Sequence, residues 1–296
     1  MNEFVILLDS TCNMTLADLE EFNIDYFKMT VSLDNKVYDA DLGWKDMTPA
    51  DFYETMKKGT RPYTQLVTEE EYRTKFTKYL SEGLDVLYIS CSSALSSSVK
   101  VAYKVVDKLL TEFPKSKIRI VDSLNSGMGQ GMMGIKAHEL KEAGKTLDEV
   151  ADYIEKTKLC YNQFATVGKL TYLAKAGRVK ASAAFFGNIF GVQPIIISDI
   201  KGNNYAYKKV RGRQVALEEI ANSIVENAVE PENNILAIDN ANCVEDAKKI
   251  IALVESKGVK FKRYFTNPLG PILGASCGPD TVIAYFYGKE VTILGE

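Results

Sequence analysis

Val86-Leu87-Tyr88-Ile89-Ser90-Cys91-Ser92-Ser93-Ala94-Leu95-Ser96-Ser97-Ser98 decides the fold class. The run opens with four apolar residues rich in β-branched and aromatic side chains, too few for a helix, and stops at a cluster of hydroxyls. Residues 98–113 then carry apolar side chains three and four apart, the period of an amphipathic helix. Strand, polar turn and helix recur along the chain. Further strands are expected at 4–8, 118–121, 165–167, 195–197, 235–238 and 282–285, and further helices at 146–158, 214–228 and 244–257. That alternation is the pattern of an α/β protein, and continuously apolar strands are expected where helices cover both faces of a largely parallel sheet. Residues 160–164 read as a polar connection after helix 146–158, so the chain divides near 165 into two α/β domains, 1–165 and 166–296. The N-terminal one holds the largely parallel sheet, with a ligand cleft between the two.

Composition removes several classes of function. Of 296 residues, 46% are hydrophobic and 25% charged, so neither disorder nor a fibrous repeat is indicated. A net charge of -3, with no basic cluster beyond Lys208, Lys209, Arg211 and Arg213, argues against a nucleic-acid partner. The five cysteines are scattered without a CxxC pair, as expected of reduced thiols in a cytoplasmic protein. Residues 1–8 read as a strand rather than a signal peptide, and no apolar run reaches the roughly 20 residues of a membrane span.

Chemistry concentrates at strand ends. Asp9-Ser10-Thr11, the Ser90–Ser98 cluster and Asp122-Ser123-Leu124-Asn125-Ser126-Gly127 each follow a strand. Such residues cap helix N-termini, or, together with the amides there, they form a site for a carboxylate or phosphate. Gly274-Ala275-Ser276-Cys277-Gly278 fits the GxSxG of serine hydrolases, but the single histidine, His138, precedes it and no helix is expected after it. Gly129-Gln130-Gly131-Met132-Met133-Gly134 fits GxGxxG, yet it begins seven residues beyond Asp122, too far for a pyrophosphate turn. Glycines that let a helix approach a strand or a ligand tail are the simpler account. No histidine–cysteine–carboxylate grouping suggests a metal site, and no cofactor is indicated.

Taken together and in order, these segments resemble the DegV family of bacterial fatty-acid-binding proteins over nearly the whole chain. Asp9-Ser10-Thr11 is similar to its DST motif, and Pro62-Tyr63-Thr64-Gln65-Leu66-Val67-Thr68 to its P-x-T-S-Q segment, with Gln65 and Leu66 as departures. Ser92-Ser93-Ala94-Leu95-Ser96-Ser97-Ser98 resembles S-S-x-L-S-G-T, and Val121-Asp122-Ser123 with Ser126-Gly127-Met128-Gly129 resembles its VDS and SxG stretch. Leu173-Ala174-Lys175-Ala176-Gly177-Arg178 and Lys209-Val210-Arg211-Gly212-Arg213 resemble two further motifs. Near the C-terminus the family's G-A-H-T-G-P-G is altered: Ser276 stands at the histidine, Cys277 follows, and Asp280 replaces the last glycine.

The resemblance implies two α/β domains around a fatty-acid tunnel, with the carboxyl group on Thr64 and Ser96, Ser93 as a second choice, and Ser276 nearby. It implies a tail among residues such as Phe185, Phe186, Ile189 and Phe190, and a non-catalytic carrier that presents its ligand to a separate fatty-acid kinase. Arg178, Arg211 and Arg213 would then face the kinase, and the chain carries no GxxxxGK[ST] loop of its own. Tail burial at about 0.8 kcal/mol per methylene supplies the affinity. Hydroxyl contacts alone would raise the pKa of a buried carboxyl group. The alternative is a serine-dependent hydrolase or acyltransferase acting on acyl esters through Ser276 or the 90–98 serines.

Overall fold

The computed structural model describes residues 3–34, 36–180 and 191–295. Strands β1 (Phe4–Asp9), β2 (Ile24–Phe27), β6 (Asp85–Ser90) and β7 (Ile118–Asp122) form a parallel sheet in the order β2-β1-β6-β7. Helices α3 (Glu69–Ser81) and α4 (Ser98–Glu112) pack with this sheet, as do α5 (Met128–Glu142) and α6 (Leu147–Thr157). Its central strands are accordingly buried at every residue of β6 and nearly every residue of β1, which is why they read as unbroken apolar runs. Two capping boxes, at Thr15 before the short helix α1 (Leu16–Glu21) and at Thr146 before α6, satisfy first-turn amides that would otherwise be orphaned.

A six-stranded sheet follows, in the order β10-β9-β8-β13-β11-β12, from β8 (Tyr161–Thr166), β9 (Val192–Ser198), β10 (Asn204–Arg211), β11 (Ile235–Asn240), β12 (Arg263–Phe265) and β13 (Val282–Tyr287). Its pairings are antiparallel except β11 with β12. One apolar cluster joins this sheet to helices α8 (Arg213–Asn227) and α9 (Val244–Ser256). A second runs from the parallel sheet across to Ala165, Ile196, Ile283 and Tyr285. Continuous apolar strands here therefore report burial on two faces and not parallel pairing.

The expected polar connection at 160–164 is strand from Tyr161 onward, and a division at 165 runs through β8. Asn162 and Gln163 are buried and hydrogen-bonded, Asn162 to the carbonyls of Cys160 and Lys289, and Gln163 to the Asn204 side chain at 2.9 Å. Polar side chains paired inside a sheet look, in sequence, like a loop. A small antiparallel sheet, β4-β3-β5, from β3 (Thr30–Leu33), β4 (Lys36–Asp39) and β5 (Tyr63–Gln65), carries too little apolar periodicity to be expected from sequence. Short helices α2 (Pro49–Lys57), α7 (Leu170–Ala176) and α10 (Pro271–Cys277) complete the fold, α10 packing against α2, α7 and β3.

Helix α5 lies between the two large sheets, in contact with β1, β6, β8, β11 and β13. A Cβ at Gly131 would sit 2.9 Å from the Cys12 carbonyl oxygen, and one at Gly134 2.9 Å from Leu8 Cδ1. The GxGxxG pattern thus serves close helix–strand packing. Residues 13 and 267–270 tie the halves together: Asn13 Nδ2 donates to the Pro268 carbonyl at 3.1 Å, its Oδ1 accepts from the Gly270 amide, and Asn267 Nδ2 donates to the Asn13 carbonyl at 3.1 Å. Arg263 adds a two-pronged pair with Glu21 at 2.5 and 2.7 Å.

Candidate functional site

Between the two large sheets lies a cavity of about 770 Å³, its open mouth included. Its apolar floor is built by register: Ala165 of β8 stands beside Ile283 of β13 on one side and Ile196 of β9 on the other, and all three line the cavity. Leu173 of α7, Ile272 and Leu273 of α10, and Leu95 add apolar wall. Hydroxyls interrupt it at Thr11, Thr64, Ser96, Ser126, Ser276 and Thr281. Leu66, next to this set on the rim, is 40% exposed.

Four sequence-expected residues, Thr64, Ser96, Ser276 and Arg178, meet at this one cavity although they come from β5, the turn before α4, helix α10 and the residues after α7. Three do not. Ser93 lies in the same turn as Ser96 but off the lining, where its amide donates to Asp122 Oδ1 at 3.1 Å. Arg211 is exposed at the end of β10, and Arg213 is paired with Asp246 at 2.8 Å. Arg178 donates from Nε to the Leu95 carbonyl at 3.3 Å and from Nη1 to the Ala176 carbonyl, which holds a cation beside Ser96. Phe185, Phe186, Ile189 and Phe190 lie outside the described residues.

The strand-end hydroxyls mostly are not helix caps. Ser97 precedes α4 without a side-chain cap bond, and α5 is preceded by Gly127. Ser92 instead donates to the Gly202 carbonyl at 2.8 Å, stapling the two halves, and Ser123 closes a local turn with Asn125. Asp9 is fully buried: Oδ1 accepts from the Thr11 amide (3.0 Å), Oδ2 accepts from the Cys91 amide (2.8 Å) and the Tyr88 hydroxyl (3.0 Å), and the Thr11 hydroxyl lies between Asp9 Oδ1 (2.5 Å) and Gln130 Oε1 (2.7 Å).

Nothing in the geometry favours hydrolysis. Ser276 sits inside α10, its hydroxyl 3.5 Å from the Ile272 carbonyl, and not on a strand-to-helix turn. Gly274 leaves room for the Tyr53 hydroxyl, 2.4 Å from a would-be Cβ. His138 packs edge-on against Phe22 on α5, away from the cavity lining. Burial pushes the Cys91 thiol up and the Cys277 thiol up to about 12, so both lining thiols are neutral and poorly nucleophilic near pH 7. Among the described residues no group of acidic, histidine and cysteine side chains could hold a metal ion, and no helix is long and apolar enough to cross a membrane.

Asp239 is fully buried and accepts from the Met128 amide at 3.2 Å, capping α5 from the opposite sheet. Burial pushes the Asp239 carboxyl well above the usual carboxylate range, against the Met128 amide and the Asn13 side chain. Since the folded state holds this proton more tightly than the unfolded one, stability falls as pH rises above the ordinary carboxylate pKa of about 4. Asp239→Asn should remove that slope and raise the urea midpoint at neutral pH and above. A midpoint lowered at every pH would show that the charge is needed.

A family model described as an uncharacterised protein of the DegV family matches residues 3–289. The chain belongs to the DegV family. A DegV domain-containing protein of Clostridium perfringens is 28% identical over 290 residues, covering 97% of this chain and 98% of its own. Among solved structures, a DegV family protein of Thermus thermophilus described as fatty-acid binding superposes with a TM-score of 0.86 at 23% identity, over 97% of this chain and 100% of that one. A stearic-acid-binding protein of Eubacterium ventriosum gives 0.83 at 21% identity, over 96% and 98%. The DegV fold, mixed α/β with one parallel sheet, is therefore shared along the whole chain. The resembling segments at 62–68, 92–98 and 173–178 each place a residue on the cavity of this DegV protein, namely Thr64, Ser96 and Arg178.

Proposed function

We propose that this DegV protein carries a long-chain fatty acid, with the tail in the inter-sheet cavity and the carboxyl group on Thr64 and Ser96, Ser276 close by. The carrying observation is the cavity itself, which joins an in-register apolar floor to hydroxyls from separate elements. Relatives described as fatty-acid binding support the same ligand class. The division of labour is physical: tail methylenes contribute about 0.8 kcal/mol each, and the hydroxyls orient the head group. The carrier is non-catalytic and cytoplasmic in this reading, needs no cofactor, and presents its ligand to a separate fatty-acid kinase. Arg178 at the cavity and exposed Arg211 are the cations available for that encounter, whereas the guanidinium of Arg213 is already engaged by Asp246.

Mass spectrometry of lipid extracted from the purified protein tests the reading: a co-purified or titratable long-chain fatty acid is expected, and none after delipidation and titration would overturn it. Thr64→Ala and Ser96→Ala should each weaken binding by about 1–3 kcal/mol, the cost of a buried polar partner left unmatched. Unchanged affinity in both would move the head group elsewhere.

A further inference from the structure

The cavity floor is not apolar throughout. Gln163 stands on β8 two residues before Ala165, on the same face of the strand, and both line the cavity. It is buried at 4% exposure. Asn204, which opens β10, lines the cavity beside it.

The hydrogen bonds of this pair fix which arm of each amide points which way. The Arg178 carbonyl can only accept, so the group of Asn204 that meets it at 3.0 Å is Nδ2. Asn204 Oδ1 is thereby turned to Gln163, and the group that meets it at 2.9 Å must be the Gln163 Nε2. The other arm of Gln163, Oε1, is left as an acceptor and takes no hydrogen bond among the described residues. A main-chain carbonyl thus sets an amide oxygen beside an apolar floor.

Arg178 also fixes where along a ligand this oxygen lies. Its carbonyl holds Asn204, and its Nε donates at 3.3 Å to the carbonyl of Leu95, the residue before Ser96. Gln163 is therefore tied to the head-group hydroxyl through a single arginine, with Ala165 and Ile196 beyond it on the floor. We infer, building on the fatty-acid reading, that Gln163 reads a hydroxyl on the acyl chain close to its carboxyl end, so that the ligand class is a long-chain hydroxy acid. The carboxylate lies on Thr64 and Ser96 beside the charge of Arg178, and the chain O–H donates to Gln163 Oε1. A plain methylene in that place would strip the amide oxygen of water and leave a buried acceptor unmatched. Asn204 is a positioning residue, which holds the Gln163 amide in this sense.

The test titrates hexadecanoic acid against its 2-hydroxy, 3-hydroxy and 16-hydroxy derivatives by displacement of a fluorescent lipid from the delipidated protein, at mildly alkaline pH where all are ionised in solution. Matching fluoro acids keep the size and the bond dipole but have no proton to give. One of the two carboxyl-proximal hydroxy acids should bind about tenfold or more tightly than both hexadecanoic acid and its own fluoro analogue, as for one buried hydrogen bond gained. Gln163→Met keeps the length and removes the acceptor, so that ratio should fall below about threefold while hexadecanoic acid binds as tightly or more so. A merely structural role would weaken every ligand alike, and an unmoved ratio would overturn the assignment to Gln163. If the variant does not fold, the hydroxy-to-fluoro ratio on the unaltered protein decides alone. Hydroxy acids that all bind within about threefold of hexadecanoic acid would overturn the inference and leave the carrier intact. A preference for the 16-hydroxy acid alone would overturn it too, since the acceptor would then lie at the tail end. Failure of every acid to bind would overturn the carrier reading itself.

Discussion

Asp9→Ala should lower the free energy of unfolding by about 3–5 kcal/mol. The substitution strands the Cys91 and Thr11 amides and the Tyr88 hydroxyl in a fully buried site, at about 1–3 kcal/mol for each unmatched group, part of which relaxation recovers. Asp9 joins the end of β1 to β6 and the turn after it through the Tyr88 hydroxyl and the Cys91 amide. Urea unfolding followed by circular dichroism checks it. A loss below about 1 kcal/mol would show that water replaces the carboxylate.

Ala165→Phe should remove long-chain binding and spare shorter chains. Ala165 is the middle of the cavity floor, between Ile196 and Ile283, and is buried at 3% exposure. A benzyl group there takes the room of about four methylenes at about 0.8 kcal/mol each, or ~3 kcal/mol, so an 18-carbon acid should bind roughly 200-fold more weakly. A 12-carbon acid, which does not need that space, should change little. Displacement titrations across chain lengths separate the two. Equal losses at every length would mean that the substitution distorts the sheet, and no loss at any length would place the tail off this floor.

Three of the four strands of the parallel sheet and the helices at 98–113, 146–158, 214–228 and 244–257 were legible before any coordinates, since 4–8 and 86–89 are apolar throughout, 118–121 is interrupted only by Arg119, and all three run into hydroxyl-bearing turns; β2 and α3 were not. Thr64, Ser96 and Arg178 were legible only through resemblance, because nothing in their own neighbourhoods says that they meet. Ser93 and Arg213 show the limit of that route. Two residues in one turn share a motif, yet Ser96 alone of the pair lines the cavity, and Arg213 is neutralised by Asp246, 33 positions away.

Local chemistry in the chain determined which segments are strands and helices, since backbone sterics and apolar period act over a few residues at a time. It also determined that the strand ends carry hydroxyls. Tertiary structure decided what those hydroxyls do. The floor of Ala165, Ile196 and Ile283 exists because three strands pair in one register. The Tyr88 hydroxyl and the Cys91 amide serve as donors to Asp9 because folding buries the three together, although they are 79 and 82 positions from it in the chain. A hydroxyl in sequence is both donor and acceptor; only its packed neighbours choose between the two.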